Sequence, residues 1–223
     1  IVKDDKVVFA KGFGIKKIGE DDLVDTDTLF QIGSVTKGFT AALIAKLMTE
    51  KKIDWNQRVQ QLYPHFMMSH KHHTEELTLK DVLAQRSGLP LYAGDEFIQQ
   101  GKDYLFVLNK LFSTYREMDP LATTFSYQNS LFCVTEPALI HQTGKDWHRS
   151  IQEDLLIPLG IHHASSTYPA IAFATNAAYP HEKKNGKMKL MERSHFGYRV
   201  APAGGLNMNV KDLARYLIFH INQ

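Results

Sequence analysis

The sequence predicts an α/β protein of the α+β type, with two lobes and a cleft between them. Three observations support this fold class: strand-like runs open the chain, one long apolar helix follows, and a helix-rich middle section gives way to strand texture and a final helix. The chain has 223 residues, of which 43% are hydrophobic and 22% charged, and this is enough to build a sizeable core.

Residues 1–53 are predicted to form the first part of the α/β lobe. Short apolar runs on both sides of Asp4 and Asp5 predict a strand, a turn and a second strand within residues 2–14. A further short extended segment is expected at 29–32, just before a glycine.

A central helix is predicted over residues 34–51. Its apolar residues, from Phe39 to Met48, cover more than one face, and a helix that is apolar nearly all round is usually central in its domain. Lys37 lies in the first turn of this helix, so we expect it to be at least partly buried. A buried lysine requires a compensating reason.

The middle of the chain, residues 54–190, is predicted to form a mainly helical lobe, and residues 191–223 to return to the α/β lobe. Capping residues, prolines and glycines mark the expected helix ends. Helices are predicted over 54–63, 78–85, 103–115, 130–143 and 147–156, loop and strand texture over 164–199, and a final helix from Asn209.

Charge and composition argue against several functions. The formal net charge of +2 gives no reason to expect nucleic acid or an anionic membrane as a partner. No segment approaches the ~18 consecutive apolar residues that span a bilayer, and no signal peptide is recognisable. Because the chain opens at Ile1 without an initiator methionine, we expect it to be a processed or trimmed piece.

Metal and cofactor motifs are not found in the sequence. The single cysteine, Cys133, excludes an internal disulfide, and its apolar neighbours predict a buried thiol rather than a reactive one. The eleven histidines include no H-E-x-x-H pattern, and no C-x-x-C occurs, so we expect no metal site. Neither G-x-S-x-G nor a helix-opening G-x-G-x-x-G is present.

The first candidate for chemistry is Ser34 with Lys37. A serine hydroxyl is a poor nucleophile until a base takes its proton. A lysine three residues further along a helix lies on the same face, and desolvation lowers the pKa of its amine. Two plainer readings stay open at this point. Serine is a favoured helix cap, and an S-x-x-K spacing is expected about once by chance in such a chain.

The second candidate is the segment "FSYQNS", which contains Tyr127 and Asn129. Residues two apart in an extended segment point the same way. A tyrosine hydroxyl beside a lysine amine can take part in proton transfer, and an asparagine amide can hold both the lysine and a substrate carbonyl. The alternative is a loop tyrosine followed by a helix cap.

Taken together, these segments resemble the superfamily of serine β-lactamases and penicillin-binding proteins, nearest to its branch of class C β-lactamases, D-alanyl-D-alanine carboxypeptidases and esterases. The stretch "FQIGSVTKGFTA" resembles the S-x-x-K motif and "FSYQNS" the Y-x-N motif. Three further stretches match in the same order: "LTLKDVLAQRSGLP", "IPLGI" and "VAPAGGLNMNVKDLARY". The resemblance covers nearly the whole chain and implies a transpeptidase-like fold, in which helices flank an antiparallel sheet beside a helical lobe.

The resemblance also implies a role for each matching residue. Ser34 would be the acylated nucleophile, and its backbone N–H one half of the oxyanion hole. Lys37 would bond to Ser34 and Tyr127 and shuttle protons. Tyr127 would help to activate Ser34 and protonate the leaving group. Asn129 would position Lys37 and the substrate amide. No metal or organic cofactor is needed, and the partner would be a small-molecule or peptide substrate.

One motif of the superfamily is not found. Its third motif, a Lys or His followed by Thr or Ser and Gly, comes well after the stretch that contains Gly204 and Gly205, which we expect to form a tight turn. We therefore expect the natural chain to be longer at its C-terminus. The resemblance also places such enzymes in the periplasm or outside the cell more often than in the cytoplasm. The oligomeric state is left open.

Three hypotheses follow. The leading one is a serine hydrolase that forms an acyl-enzyme with a β-lactam, a D-Ala-D-Ala peptide or an ester. The second is a binding or scaffold protein that keeps the fold without turnover. The third is an unrelated α/β domain in which Ser34 and Tyr127 are caps and in which Lys37 and Tyr127 lie far from Ser34.

Overall fold

The computed structural model describes residues 1–50 and 52–222. Its strands are β1 (Val2–Lys3), β2 (Lys6–Val7), β3 (Phe30–Gln31), β4 (His181–Lys184), β5 (Lys187–Leu190) and β6 (Asn207–Met208). Its helices are α1 (Thr36–Thr49), α2 (Val59–Leu62), α3 (Lys71–Glu76), α4 (Leu79–Leu83), α5 (Asp95–Gln99), α6 (Tyr104–Leu108), α7 (Leu111–Thr114), α8 (Thr135–Thr143), α9 (Trp147–Ile151), α10 (Tyr168–Ala172), α11 (Phe196–Arg199), α12 (Ala201–Gly204) and α13 (Val210–Ile221). A 3-10 turn precedes α1 (Gly33–Val35) and another precedes α8 (Leu131–Val134), while a π turn (Gln152–Leu156) continues α9.

All the strands of the described residues pair antiparallel. They form three separate two-stranded pairs, β1 with β2, β3 with β6, and β4 with β5. The turn between β1 and β2 holds Asp4 and Asp5 at φ 47° and 61°, a conformation that favours aspartate and glycine, as the turn prediction required. The mixed class of helices and antiparallel strands is confirmed, with short pairs in place of one broad sheet within 1–50 and 52–222.

The pair β3–β6 brings an early and a late segment of the chain together beside the start of α1. Phe30 lies opposite Met208 in its register. Just beyond β3, the Ile32 N–H donates to the Leu206 carbonyl over 3.1 Å, and the Leu206 N–H donates to the Thr36 hydroxyl over 3.2 Å. The chain around 206 is therefore fixed against the turn that contains Ser34.

The predicted central helix is confirmed as α1, which begins at Thr36 after the 3-10 turn, and the predicted end at Lys51 lies outside the described residues. Phe39, Leu43, Ile44 and Leu47 are each at most 1% exposed and form the middle of one hydrophobic cluster. Burying each of these side chains stabilises the fold by about 1.5–3 kcal/mol. The position of α1 is thus set by packing rather than by intrinsic helix propensity.

A second hydrophobic cluster supports the helical part of the chain. It includes Phe66, Leu77, Phe132 and Cys133, each at most 2% exposed. The buried position of Cys133 confirms the prediction from its apolar neighbours. The boundaries drawn at 53 and 190 stay a prediction.

One predicted helix start is wrong. The helix expected from Asp54 begins only at Val59, because the Asp54 carboxylate accepts the N–H of Asn56 over 2.7 Å and closes a turn. The following residues are held extended against the start of α4, where the Leu79 N–H donates to the Gln57 carbonyl over 3.0 Å. Tertiary pairing therefore overrides the local helix signal.

Other predicted elements are present with different bounds, and the loop and strand texture expected over 164–199 also contains the helices α10 and α11. The helix expected over 103–115 is divided into α6 and α7, which are separated by Asn109 and Lys110. The final helix starts where predicted, because the Asn209 side chain caps α13 by accepting the Asp212 N–H over 2.8 Å. Among the described residues, none of the helices has the length and apolar character needed to cross a membrane.

Candidate active site

Ser34 lies in the middle of the 3-10 turn that leads into α1. Gly33 before it has φ 51°, a conformation that glycine adopts at little cost. Ser34 is not a helix cap, since Ile32 precedes the turn and Val35 occupies the cap position of α1. The exposed Ser34 side chain instead lines a cleft.

The Lys37 amine brings all four predicted site residues together. Its Nζ lies 3.4 Å from the Ser34 Oγ, 2.8 Å from the Tyr127 hydroxyl and 2.7 Å from the Asn129 Oδ1. A fourth oxygen, the carbonyl of Ala203, lies 3.1 Å away. These contacts contradict the hypothesis of an unrelated domain in which Lys37 and Tyr127 lie far from Ser34.

The protonation of Lys37 is shifted towards the neutral amine. Burial lowers the pKa of Lys37, and the hydrogen bond and charge interaction with Tyr127 partly oppose that shift. A neutral lysine can accept a proton, whereas an ordinary surface lysine is an ammonium ion at neutral pH. The burial of Lys37 therefore makes the loss of its proton easier, which is the direction that a proton-transfer role requires.

The surrounding oxygens also set the direction of the Lys37 amine. The Asn129 Oδ1 and the Ala203 carbonyl can only accept hydrogen bonds, so they take two N–H groups of Lys37. The remaining position of the nitrogen, a lone pair or a third proton, is then left for Ser34 and Tyr127, whose hydroxyls can donate as well as accept. This arrangement suits a group that passes a proton between two hydroxyls.

The segment that carries Tyr127 and Asn129 is held by the residue between them. Gln128 is buried, accepts the Gln85 side-chain N–H at its backbone carbonyl over 3.2 Å and donates its own backbone N–H to the Gln85 Oε1 over 2.7 Å. Its side chain donates to the Pro90 carbonyl over 2.7 Å. While Gln128 is held in place by these bonds, the side chains of Tyr127 and Asn129 both reach Lys37. This is expected for two residues that lie two positions apart in an extended segment.

Sequence reasoning missed two further groups at this site. Asp95, the first residue of α5, accepts the Asn129 Nδ2–H over 2.8 Å. The Ala203 carbonyl belongs to α12, in the stretch for which only a structural turn was expected. A backbone carbonyl has no side-chain signal, and an acid at the start of a helix is common for other reasons.

The cleft beside Ser34 has a volume of about 210 Å³. Small residues line much of it. A side chain at Gly197 would place its Cβ 2.4 Å from the Gly204 carbonyl oxygen, so only glycine fits there. The lining comprises Gln31, Gly33, Ser34, Asn129, Ser194, Phe196, Gly197, Val200, Ala203 and Gly204.

His70 and His73 contact residues that are distant in the sequence. The His70 Nδ1 lies 2.5 Å from the Glu117 Oε2, and the His73 Nε2 lies 3.2 Å from the Asp119 carbonyl. No cluster of three or more residues suited to metal ligation occurs in residues 1–50 and 52–222. Burial raises the pKa of the Cys133 thiol well above its ordinary value, so this cysteine is not poised to react.

A comparison with known families decides the assignment, since the family model described as Beta-lactamase matches residues 1–223. The chain belongs to the beta-lactamase family. Among its relatives is the unguisins hydrolase ungD' of Aspergillus campestris, which is 31% identical over 96% of this chain and 42% of that protein. The protein flp of Staphylococcus aureus is 25% identical over 100% of this chain and 44% of its own length. This family member therefore spans less than half the length of the curated relatives it matches.

Solved structures confirm the transpeptidase-like fold of this beta-lactamase family member. The octameric penicillin-binding protein homologue from Pyrococcus abyssi superposes with a TM-score of 0.84 at 24% identity, over 99% of this chain and 51% of that chain. FmtA from Staphylococcus aureus superposes with a TM-score of 0.78 at 24% identity, over 96% of this chain and 58% of that chain. At this level of identity the likeness concerns the fold alone.

Proposed function

We propose that this protein is a serine hydrolase that acts through an acyl-enzyme on Ser34. The observation that carries the proposal is the position of the Lys37 Nζ, within hydrogen-bond reach of both the Ser34 Oγ and the Tyr127 hydroxyl. Nucleophile, base and a second proton carrier then lie in one hydrogen-bonded group, which is the arrangement that covalent catalysis by serine requires.

The proposed reaction has two halves. In the first, the Ser34 oxygen attacks a carbonyl carbon while its proton passes to the neutral Lys37 amine. The backbone N–H of Ser34, in the first turn of the helical segment, donates to the developing oxyanion. Tyr127 hands its proton to the departing amine or alcohol as the bond between acyl carbon and leaving group breaks, and it takes a proton back from Lys37, which becomes neutral again. In the second half, water attacks the Ser34 ester, which releases the acid and returns the proton to Ser34.

The substrate class remains a proposal within this reaction. A β-lactam, a D-Ala-D-Ala peptide and a simple ester all present a carbonyl that Ser34 could attack, and one site is often reused for different substrates. The relative named as a hydrolase supports hydrolysis as the reaction type. We further propose, on the resemblance alone, that the protein acts in the periplasm or outside the cell.

Hydrolysis of a chromogenic ester tests the proposal. The wild-type protein is expected to release p-nitrophenol from p-nitrophenyl acetate with a burst that equals the enzyme concentration, because acylation precedes a slower deacylation. Ser34→Ala should abolish the burst. Ser113→Ala is a matched control, since that serine is exposed on α7 and bonds only to the Lys110 carbonyl in its own turn.

The alternative is a binding or scaffold protein with the same fold. That hypothesis predicts equal and negligible ester turnover for the wild type, Ser34→Ala and Ser113→Ala. A burst that persists in Ser34→Ala would show that another residue is acylated and would contradict the assigned nucleophile.

A further inference from the structure

Asp95 belongs to the same hydrogen-bonded group as the proposed catalytic residues, although it touches neither Ser34 nor Lys37 directly. Its Oδ2 accepts the Asn129 Nδ2–H over 2.8 Å, and the other end of that amide, Oδ1, accepts from the Lys37 Nζ over 2.7 Å. The contacts form a chain from Asp95 through Asn129 to Lys37. We propose that Asp95 is a positioning residue that orients the Asn129 amide and thereby directs the Lys37 amine at Ser34 and Tyr127.

The two ends of the Asn129 amide face partners of opposite hydrogen-bonding character. An ionised carboxylate only accepts hydrogen bonds, and a lysine ammonium only donates them. The amide satisfies both neighbours in one orientation alone, with its N–H group towards Asp95 and its oxygen towards Lys37. A flipped amide would place oxygen against the carboxylate and N–H against the amine, so both hydrogen bonds would be lost.

The Asn129 oxygen determines which hydrogen-bond partners are left for the Lys37 amine. Together with the Ala203 carbonyl, this oxygen takes two N–H groups of the amine and leaves the third position for the hydroxyls of Ser34 and Tyr127. If the amide flipped, the lone pair of a neutral Lys37 could accept the Asn129 N–H and would be withdrawn from Ser34. The orientation of one amide therefore determines whether Lys37 can act as the base.

A plainer explanation is that Asp95 stabilises the N-terminus of α5, where acids interact well with the helix dipole. Glu96 in the same turn already provides such an acid, and it is exposed and accepts from the Tyr115 hydroxyl. Asp95 differs from it because burial raises the pKa of its carboxyl. Its second oxygen is also buried and lacks a hydrogen-bond partner within the described part of the chain. A buried carboxylate without full compensation is costly, so its position calls for a function beyond the helix end.

The experiment compares acylation rates of the wild type, Asp95→Leu, Asp95→Asn and Glu96→Leu with p-nitrophenyl acetate over a range of pH. Asp95→Leu removes the acceptor and should lower the limiting rate about 100-fold, the cost of a misplaced catalytic group. Asp95→Asn keeps an oxygen that can accept the Asn129 N–H and should stay within about threefold of the wild type. Glu96→Leu, the matched control, should also stay within about threefold, as surface changes usually do.

The pH profile separates positioning from a merely structural role. The negative charge of Asp95 raises the pKa of Lys37, so removing it in either variant should move the acid limb of the profile to lower pH. A structural role would instead reduce the rate by the same factor at every pH. The inference is overturned if Asp95→Leu keeps the wild-type acylation rate, or if Asp95→Asn lowers that rate as much as Asp95→Leu does. It is also overturned if the acid limb of the pH profile stays at the wild-type pH in both variants.

The inference rests on the proposed function, and the two can fail separately. If the wild type shows neither Ser34-dependent release of p-nitrophenol nor a covalent adduct on Ser34 with a penicillin or a fluorophosphonate, the proposed function fails. The orientation of the amide is then tested by NMR on protein whose asparagine side-chain amides are labelled with nitrogen-15. The Asn129 side-chain resonance should shift strongly in Asp95→Leu and remain in place in Glu96→Leu, and equal spectra would overturn the positioning role.

Discussion

Replacing Thr40 by valine tests how α1 is anchored behind the candidate site. Thr40 is fully buried on α1, accepts the Trp147 Nε1–H over 2.9 Å and donates to the Pro202 carbonyl over 2.8 Å. Valine has the same shape but no hydroxyl. Thr40→Val therefore leaves an indole N–H and a backbone carbonyl without partners at places that water does not reach.

The expected cost follows from these two groups. Each buried polar group left without a partner costs about 1–3 kcal/mol. The extra methyl group of valine regains about 0.8 kcal/mol of apolar burial. The free energy of unfolding should therefore fall by about 1–5 kcal/mol, with little change from helix propensity because threonine and valine rank alike.

Urea denaturation followed by tryptophan fluorescence measures this loss. Thr49→Val is the matched control, since Thr49 is exposed on the same helix and, among the described residues, its hydroxyl bonds to the Lys46 carbonyl of its own turn. It should change the free energy of unfolding by less than about 0.5 kcal/mol. In a double-mutant cycle, adding Trp147→Phe to Thr40→Val should cost less than Trp147→Phe alone, because the indole N–H has already lost its partner.

The anchoring of α1 by Thr40 would be contradicted if Thr40→Val lowered the free energy of unfolding no more than Thr49→Val does, while the dependence of that free energy on urea concentration stayed unchanged. That outcome would mean that the hydroxyl bridge between α1, Trp147 and Pro202 contributes nothing. A cycle with zero coupling would likewise contradict the contact between Thr40 and Trp147.

Three further predictions concern the chemistry of individual groups. Lys37→Arg should lower acylation of Ser34 by about 10²–10⁴-fold while circular dichroism shows a folded protein, because arginine stays protonated and cannot take the serine proton; a wild-type rate would refute the base role. In the wild type, acylation should rise with pH along a limb below the ordinary lysine value of about 10.4, since burial lowers the pKa of Lys37 and the neutral amine is the active form; a limb at the ordinary value would show that Lys37 is not desolvated. The Cys133 thiol should resist a disulfide reagent in the native protein and react after unfolding, because it is 0% exposed and burial raises its pKa; fast native labelling would contradict its place in the core.

Local sequence signals correctly predicted the helix starts that capping side chains determine. Thr78 and Asp81 form the expected capping box of α4, and Asn209 starts α13 as predicted. Asp54 carries the same kind of signal but does not start a helix, because the residues after it pair with a distant part of the chain. Propensity decides an element's boundary only where no tertiary contact competes for the same backbone.

The candidate site follows the same rule. Ser34 and Lys37 could be found from a spacing of three along one helix, and Tyr127 and Asn129 from a spacing of two along one segment. Their approach to one another rests on the resemblance, since no pattern in a single sequence measures a distance between remote segments. Asp95 was missed for that reason: its contact with Asn129 joins residues 34 positions apart, and an acid at a helix start has an ordinary explanation.

The most direct test of the central claim is intact-mass spectrometry of the protein after incubation with a penicillin and, separately, with a fluorophosphonate that phosphonylates activated serines. Wild type and Ser34→Ala are compared, and the modified peptide is located by digestion. The account predicts that at least one reagent gives a covalent adduct on the peptide that contains Ser34, and that Ser34→Ala gives none. An adduct that persists in Ser34→Ala, or a wild type that neither reacts with nor consumes either reagent, would contradict the claim that Ser34 is an activated nucleophile.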